Sequence, residues 1–167
     1  MNNLAWRKVG DAYYLASPNE ELVKIQLESG SKAVFWMNNE VYEVKRSGFW
    51  NQRYAITRGQ REIAVVTHTF WGSTGKISLY DGTTCTSEYH YSSKLTMRFA
   101  EGSGEILRYQ AVTENGVHKP VLTLGISMVD ADKLLLLATL GMVMFLNIFN
   151  EFEDDGDVGA LLLATSI

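Results

Sequence analysis

The sequence predicts a mainly β chain: a closed antiparallel β-barrel of about ten to twelve strands, threaded by one hydrophobic α-helix near its C-terminal end. Three observations carry that prediction. Strand-length segments alternate apolar and polar residues with a period of two. Turn signals built on glycine and asparagine fall between those segments at near-regular spacing. After residue 129 the rhythm stops, and "DADKLLLLATLGMVMFLNIFNEFEDD" (130–155) runs uncharged from Leu134 to Leu146 between acidic ends.

The strands come first. In "LVKIQLE" (22–28), Val23, Ile25 and Leu27 share one face while Lys24, Gln26 and Glu28 share the other, as in a half-buried strand. "KLTMRFA" (94–100) sets Leu95, Met97 and Phe99 inward, and "KISLY" (76–80) does the same with Ile77 and Leu79. Further strands are expected at 12–16, 40–45, 53–57, 62–70, 83–91, 105–113 and 121–128, all rich in β-branched and aromatic residues. Asp81-Gly82 and Asn115-Gly116 are dipeptides that accept positive φ at both central positions of a hairpin. "EGSG" (101–104), "ITRGQRE" (56–62) and "WGSTGK" (71–76) read as looser glycine loops.

Leu, Ala and Met, strong helix formers, then predict a helix over 132–150. Asp130 or Asp132 can cap it, and their charges suit the positive end of the helix dipole. Glu151, Glu153, Asp154 and Asp155 stand where cations would be preferred, so the helix is expected to finish near Asn150 with the acids solvated. Leu134 to Phe149 spans about 24 Å as a helix, short of the roughly 30 Å of a bilayer core. Gly141 and Asn147 weaken a membrane span further, and no Lys or Arg follows the segment. A helix apolar on every face must be buried on every face, which a sheet closed around it achieves. Burial inside the protein's own barrel is therefore expected ahead of a membrane anchor or a helix buried between subunits.

The chain's 167 residues fit one domain, set here at 1–155 with 156–167 as a C-terminal tail. Two prolines against 14 glycines argue against a disordered, linker-rich chain. A net charge of −4 disfavours nucleic acid as a partner. One cysteine, Cys85, excludes an internal disulfide framework, and the first twenty residues lack the apolar core of a secretory signal. A cytoplasmic setting, peripheral at a membrane, is expected.

The succession of strands followed by one all-round hydrophobic helix resembles the tubby-like C-terminal barrel superfamily of the LURP-one-related, tubby and phospholipid scramblase type. "DADKLLLLATLGMVMFLNIFNE" (130–151) is similar to the closing helix of the LURP-one-related proteins. "RYAITRGQREIAVVTHTFWGSTGKISLYDG" (53–82) is similar to that family's run of short strands and glycine turns. The resemblance implies a roughly twelve-stranded barrel around the helix. From the tubby proteins it also implies phosphoinositide binding through basic side chains of the barrel surface, whose positions do not align residue by residue here and are not carried over. "GDVGALLLATSI" (156–167) continues where tubby-type chains normally stop, and is expected to form an added strand or a subunit contact.

The candidate site is "VKRSGFWNQRYAITRGQR" (44–61), where Lys45, Arg46, Arg53, Arg58 and Arg61 occur without an intervening acid. Guanidinium forks suit phosphate, and Phe49 and Trp50 could rest at a headgroup interface. The bland alternative is a solvated face balanced by acids on neighbouring strands. Trp36, Trp50 and Trp71 are expected to plug the core or the barrel ends. His68, His90 and His118 are not paired at zinc-ligand spacing. "GSTGK" (72–76) has two residues, not four, between its glycines and reads as a hairpin loop rather than a phosphate loop. "EFEDDGDVGALL" (151–162) imitates a calcium loop but offers Leu162 where the bidentate glutamate must stand, and reads as a solvated acidic turn. No nucleophile elbow exists and nothing near Cys85 would activate it.

The expectation is thus a non-enzymatic binding domain with no catalytic residue, metal or cofactor. Its partner would be a phosphoinositide, another anionic phospholipid headgroup or a phosphorylated ligand. The alternative is a protein-interaction or structural module, contacting a protein partner or a second copy through 151–157 and the apolar tail 156–167.

Overall fold

A computed structural model describes residues 3–48, 51–69, 73–125 and 129–154. Its twelve strands follow one another in a single antiparallel meander. They are β1 (Ala5–Val9), β2 (Ala12–Ala16), β3 (Glu21–Ser29), β4 (Lys32–Met37), β5 (Glu40–Ser47), β6 (Asn51–Arg58), β7 (Arg61–Thr69), β8 (Thr74–Leu79), β9 (Thr84–Tyr91), β10 (Leu95–Glu101), β11 (Gly104–Glu114) and β12 (Val117–Leu124). β1 and β12 come side by side with no ladder joining them among the described residues. The barrel is nearly closed, with a seam. Pro120 sits on the seam strand β12, opposite Ala111, where a missing backbone N–H is tolerated.

One helix, α1 (Ala131–Asp154), runs up the interior. Every residue from Leu135 to Leu146 is buried. The inward residues of the strands, among them Phe35, Ile56, Ile77, Met97, Phe99 and Leu107, form one continuous core with it. Each such side chain taken out of water contributes about 1.5–3 kcal/mol. The helix is longer than the sequence suggests. At 24 residues it spans about 36 Å, and Ala131–Glu151 is long and apolar enough to cross a membrane. Length therefore does not exclude a span; burial weighs against one, since 78% of that apolar window lies inside the protein.

Both helix ends are tied to the wall. Asp130, rather than Asp132, is the cap, its carboxylate accepting from the Lys133 N–H at 2.9 Å. Asp132 instead accepts from the Asn38 amide at 3.0 Å. Lys133 pairs with Asp81 on the β8–β9 turn and with Asp130 at 3.4 Å. At the far end the helix does not stop near Asn150, nor is Glu151 merely solvated: it pairs with Arg46 of β5. That ion pair offsets the unfavourable carboxylate at the negative end of the dipole. Residues 151–154, expected to be an acidic turn, are the helix's last turn; the tail 156–167 lies outside the described residues.

The seam has its own latch. The Trp6 indole on β1 donates to the Tyr109 hydroxyl on β11 at 2.6 Å, and that hydroxyl donates to the Ala138 carbonyl of α1 at 2.6 Å. Full burial pushes the Tyr109 phenol well above its ordinary pKa. Gly141 makes the approach possible, because a Cβ there would stand 2.7 Å from Tyr109 Cε2.

Several local expectations change. β1 and β4 were not expected. "KAVFWM" shows no alternation of polarity, since Val34 and Trp36 face out while Ala33, Phe35 and Met37 face in. Trp36 is consequently no core plug: it lies on the outer wall, with the Lys24 ammonium 5.1 Å from its ring centre. Trp50 and Trp71 lie outside the described residues. The last expected strand starts earlier, at Val117, and residues 126–128 lie outside the described set. Strand β8 starts two residues before the expected Lys76, so Thr74 and Gly75 belong to it and not to a loop. Gly75 is required there because a Cβ would come 2.5 Å from His68 Nε2. Asn115-Gly116 has the positive φ pair of its turn type, whereas in Asp81-Gly82 only Gly82 does. The missed β4 brought a missed turn, Asn38-Asn39, with φ of 52° and 61°.

Candidate functional site

The five basic residues do not converge. Lys45 Nζ lies 3.2 Å from Glu43, a carboxylate it shares with Lys32 at 3.4 Å. Arg46 is spent on Glu151 and on the Tyr54 ring, 5.9 Å away. Arg53 Nη2 donates to Glu62 at 2.6 Å. Phe49 and Trp50 lie outside the described residues. Only Arg58, at the end of β6, and Arg61, at the start of β7, come together, because the tight turn between them brings both to the barrel mouth where α1 begins.

That mouth holds a cavity of about 200 Å³. Met37, Ile63 and Leu136 supply its apolar parts, with Tyr42 and Tyr80 beside them. The Asn38-Asn39 turn delivers Asn38 to Asp132 and starts β5 at Glu40. Glu40 Oε2 accepts from Arg58 Nη1 at 2.6 Å and from the Tyr42 hydroxyl at 2.9 Å. The Tyr42 ring is fixed by stacking on Phe35, centroids 4.8 Å apart and planes 6° from parallel. The Arg58 guanidinium, and after it the Tyr42 hydroxyl, hold the Glu40 carboxyl below its usual pKa. Burial, and then Glu40, push the Tyr42 phenol up. Across the mouth, Lys133 and Thr83 push Asp81 down to about 2.

Arg61 differs from the other four. It is exposed, lines the cavity and has no carboxylate partner among the described residues. Arg58 spends Nη1 on Glu40, and the rest of its donor fork can serve a ligand. Of the residues that complete the mouth, Asn38, Glu40, Tyr42 and Tyr80 were not singled out in the sequence, and Asp132 was named only as a possible helix cap. An Asn-Asn turn pair was the one signal that could have located the mouth.

Other chemistry is structural. His68 Nε2 and the Ser87 hydroxyl are 2.8 Å apart, both side chains are buried, and burial pushes the imidazole pKa down. No carboxylate bonds to that imidazole among the described residues, so the pair is a satisfied contact of the core. His118 shares a hydrogen bond with Thr113 at 2.8 Å. Cys85 is buried and its thiol is pushed up, mainly by desolvation. Among the described residues no group of three or more His, Cys, Asp or Glu is placed to hold a metal ion. A wider concavity, about 550 Å³, runs over β7–β10, lined by threonines and Lys76 together with Cys85 and Ala100, and no ion pair or titratable pair is formed among these residues. Compared with family models, curated proteins and solved structures, the chain matches none.

Proposed function

We propose that this chain is a non-enzymatic, cytoplasmic binding domain that takes the phosphate of an anionic headgroup, free or lipid-borne, at the barrel mouth beside the start of α1. The observation that carries the reading is Arg61: a guanidinium with no carboxylate partner among the described residues, sharing a cavity with a second guanidinium only partly engaged. Guanidinium groups bind phosphate through parallel N–H donors, and the apolar parts of the cavity exclude water from one side of the contact. The barrel around a hydrophobic helix is also the architecture that the tubby-like resemblance implies, which supports a phosphoinositide as the headgroup. Lys45, Arg46 and Arg53 have lesser roles in this reading, because their charges are matched.

Thermal unfolding with inositol phosphates and with inorganic phosphate tests it. A ligand at a hundred times its Kd adds about 2.7 kcal/mol of stability. The expected result is a saturable rise in Tm that Arg61→Ala removes and Arg53→Ala leaves in place. A Tm indifferent to these anions, or equally responsive in Arg61→Ala, would sink the assignment.

A further inference from the structure

The outer wall over β1–β5 is unlike the rest of the barrel surface. Matched charges occur on it as they do elsewhere, Arg7 with Glu21 and Lys32 with Glu43 at 3.4 Å here, Arg98 with Glu88 at 3.2 Å on the far side, but only here does a cation without a carboxylate among the described residues sit against aromatic rings. Here the ladder register lines up Arg7, Tyr14, Lys24, Trp36 and Val41 in one row across five strands. Lys24 lies between two aromatic rings, 5.1 Å from the centre of Trp36 and 6.0 Å from that of Tyr14. It has no carboxylate partner among the described residues. A cation held by π faces keeps its full charge. The adjacent row is mixed, with Val9, Ala12 and Val34 alongside Gln26 and Glu43. Val9 and Val41 are 54% and 51% exposed, and Tyr80, which lines the mouth, is 52% exposed. The Trp36–Val41 end of the row sits next to the Asn38-Asn39 turn, so wall and mouth are continuous.

We propose that this wall is the face by which the protein lies on an anionic bilayer. Tyr and Trp belong at the headgroup level of a membrane, a lysine stem can lie along apolar surface with its charge outward, and exposed valines gain from the acyl boundary. The uncompensated positive charge of Lys24, on a chain of net charge −4, complements an anionic surface. A single nucleic-acid strand would use the rings and cations but leave the valines exposed. Pairing with a second copy would not use Lys24's charge. The inference rests on the reading above for the headgroup, but apart from Tyr80 it uses no residue of the mouth.

Val41→Cys and, on the far wall, Ser78→Cys can each carry an environment-sensitive fluorophore, since Cys85 is buried. Vesicles would be phosphatidylcholine alone or phosphatidylcholine with about one-third phosphatidylserine. The label at 41 is expected to shift to the blue on the anionic vesicles only, with the label at 78 unmoved. Co-sedimentation should weaken about tenfold in Trp36→Ala and in Lys24→Glu, and should survive Arg61→Ala. Attachment lost in Arg61→Ala but kept in Trp36→Ala would overturn the proposal, as would equal shifts at both labels or no attachment at all. So would a shift at 41 produced without vesicles by raising protein concentration or by adding a short single-stranded RNA. The soluble-phosphate response of the mouth is measured separately, so either reading can fail without the other.

Discussion

At the scale of single residues, Gly141 reports how closely the helix is fitted to the wall. Its missing side chain is filled by the Tyr109 ring, whose hydroxyl joins β1, β11 and α1 through two hydrogen bonds. Alanine is ordinarily the better helix former by about 1 kcal/mol. Here its Cβ would meet an aromatic carbon at 2.7 Å, and the ring cannot retreat without breaking its hydrogen bonds. Overpacking of this kind costs about 1–3 kcal/mol, so steric cost should outweigh helix propensity. Gly141→Ala is expected to lower the midpoint of urea unfolding while leaving the slope unchanged; an equal or higher midpoint would mean that Tyr109 is not fixed as described. None of this was legible beforehand. In the sequence Gly141 reads only as a weakness in a possible membrane span, because nothing local announces that a ring from thirty-two residues upstream needs its space.

At the scale of elements, legibility followed polarity. Strands with a clean inside and outside, such as β3, β8 and β10, were readable from the two-residue period, because water faces one side. β4 was not, since Val34 and Trp36, two of its three outward residues, are apolar, and the same two residues mark the wall over β1–β5. Arg61 was legible as a cation, but its lack of a carboxylate partner among the described residues depends on which acids neighbouring strands supply, which is a matter of register. The helix was read from its apolar run, whereas its ends were set by partners distant in sequence. Asp81 holds Lys133, and the pair pins the first turn of α1 to the β8–β9 turn. The Asp81 carboxyl titrates at about 2 in the folded protein, against about 3.9 unfolded. A depressed carboxylate contributes stability that is fully present above the unfolded value and disappears as pH falls from about 4 through about 2. Asp81→Asn should therefore lower Tm at neutral pH, and the gap to the parent should close across that acid window. A gap that stays constant down to pH ~2 would remove the ion pair from the account.

At the scale of the whole molecule, barrel and helix share one core, and neither has another among the described residues. The strand residues facing inward, including Phe35, Ile56, Ile77, Met97, Phe99 and Leu107, are fully buried and surround the space that α1 occupies. Exposing even these six would cost about 10 kcal/mol, comparable to the entire net stability of about 5–15 kcal/mol expected of a domain. The seam sharpens the point. β1 and β12 are not joined by a ladder among the described residues, and the Trp6–Tyr109–Ala138 relay that ties β1 to β11 across the seam ends on the helix. A chain ending at residue 129 should consequently lose more than its helix: the barrel itself should fail to close. Far-ultraviolet circular dichroism and urea titration of that shortened chain are expected to show no cooperative transition, while the full chain shows a single one. A cooperative, β-rich transition in the shortened chain would mean that the strands carry enough core by themselves and that α1 is a removable plug.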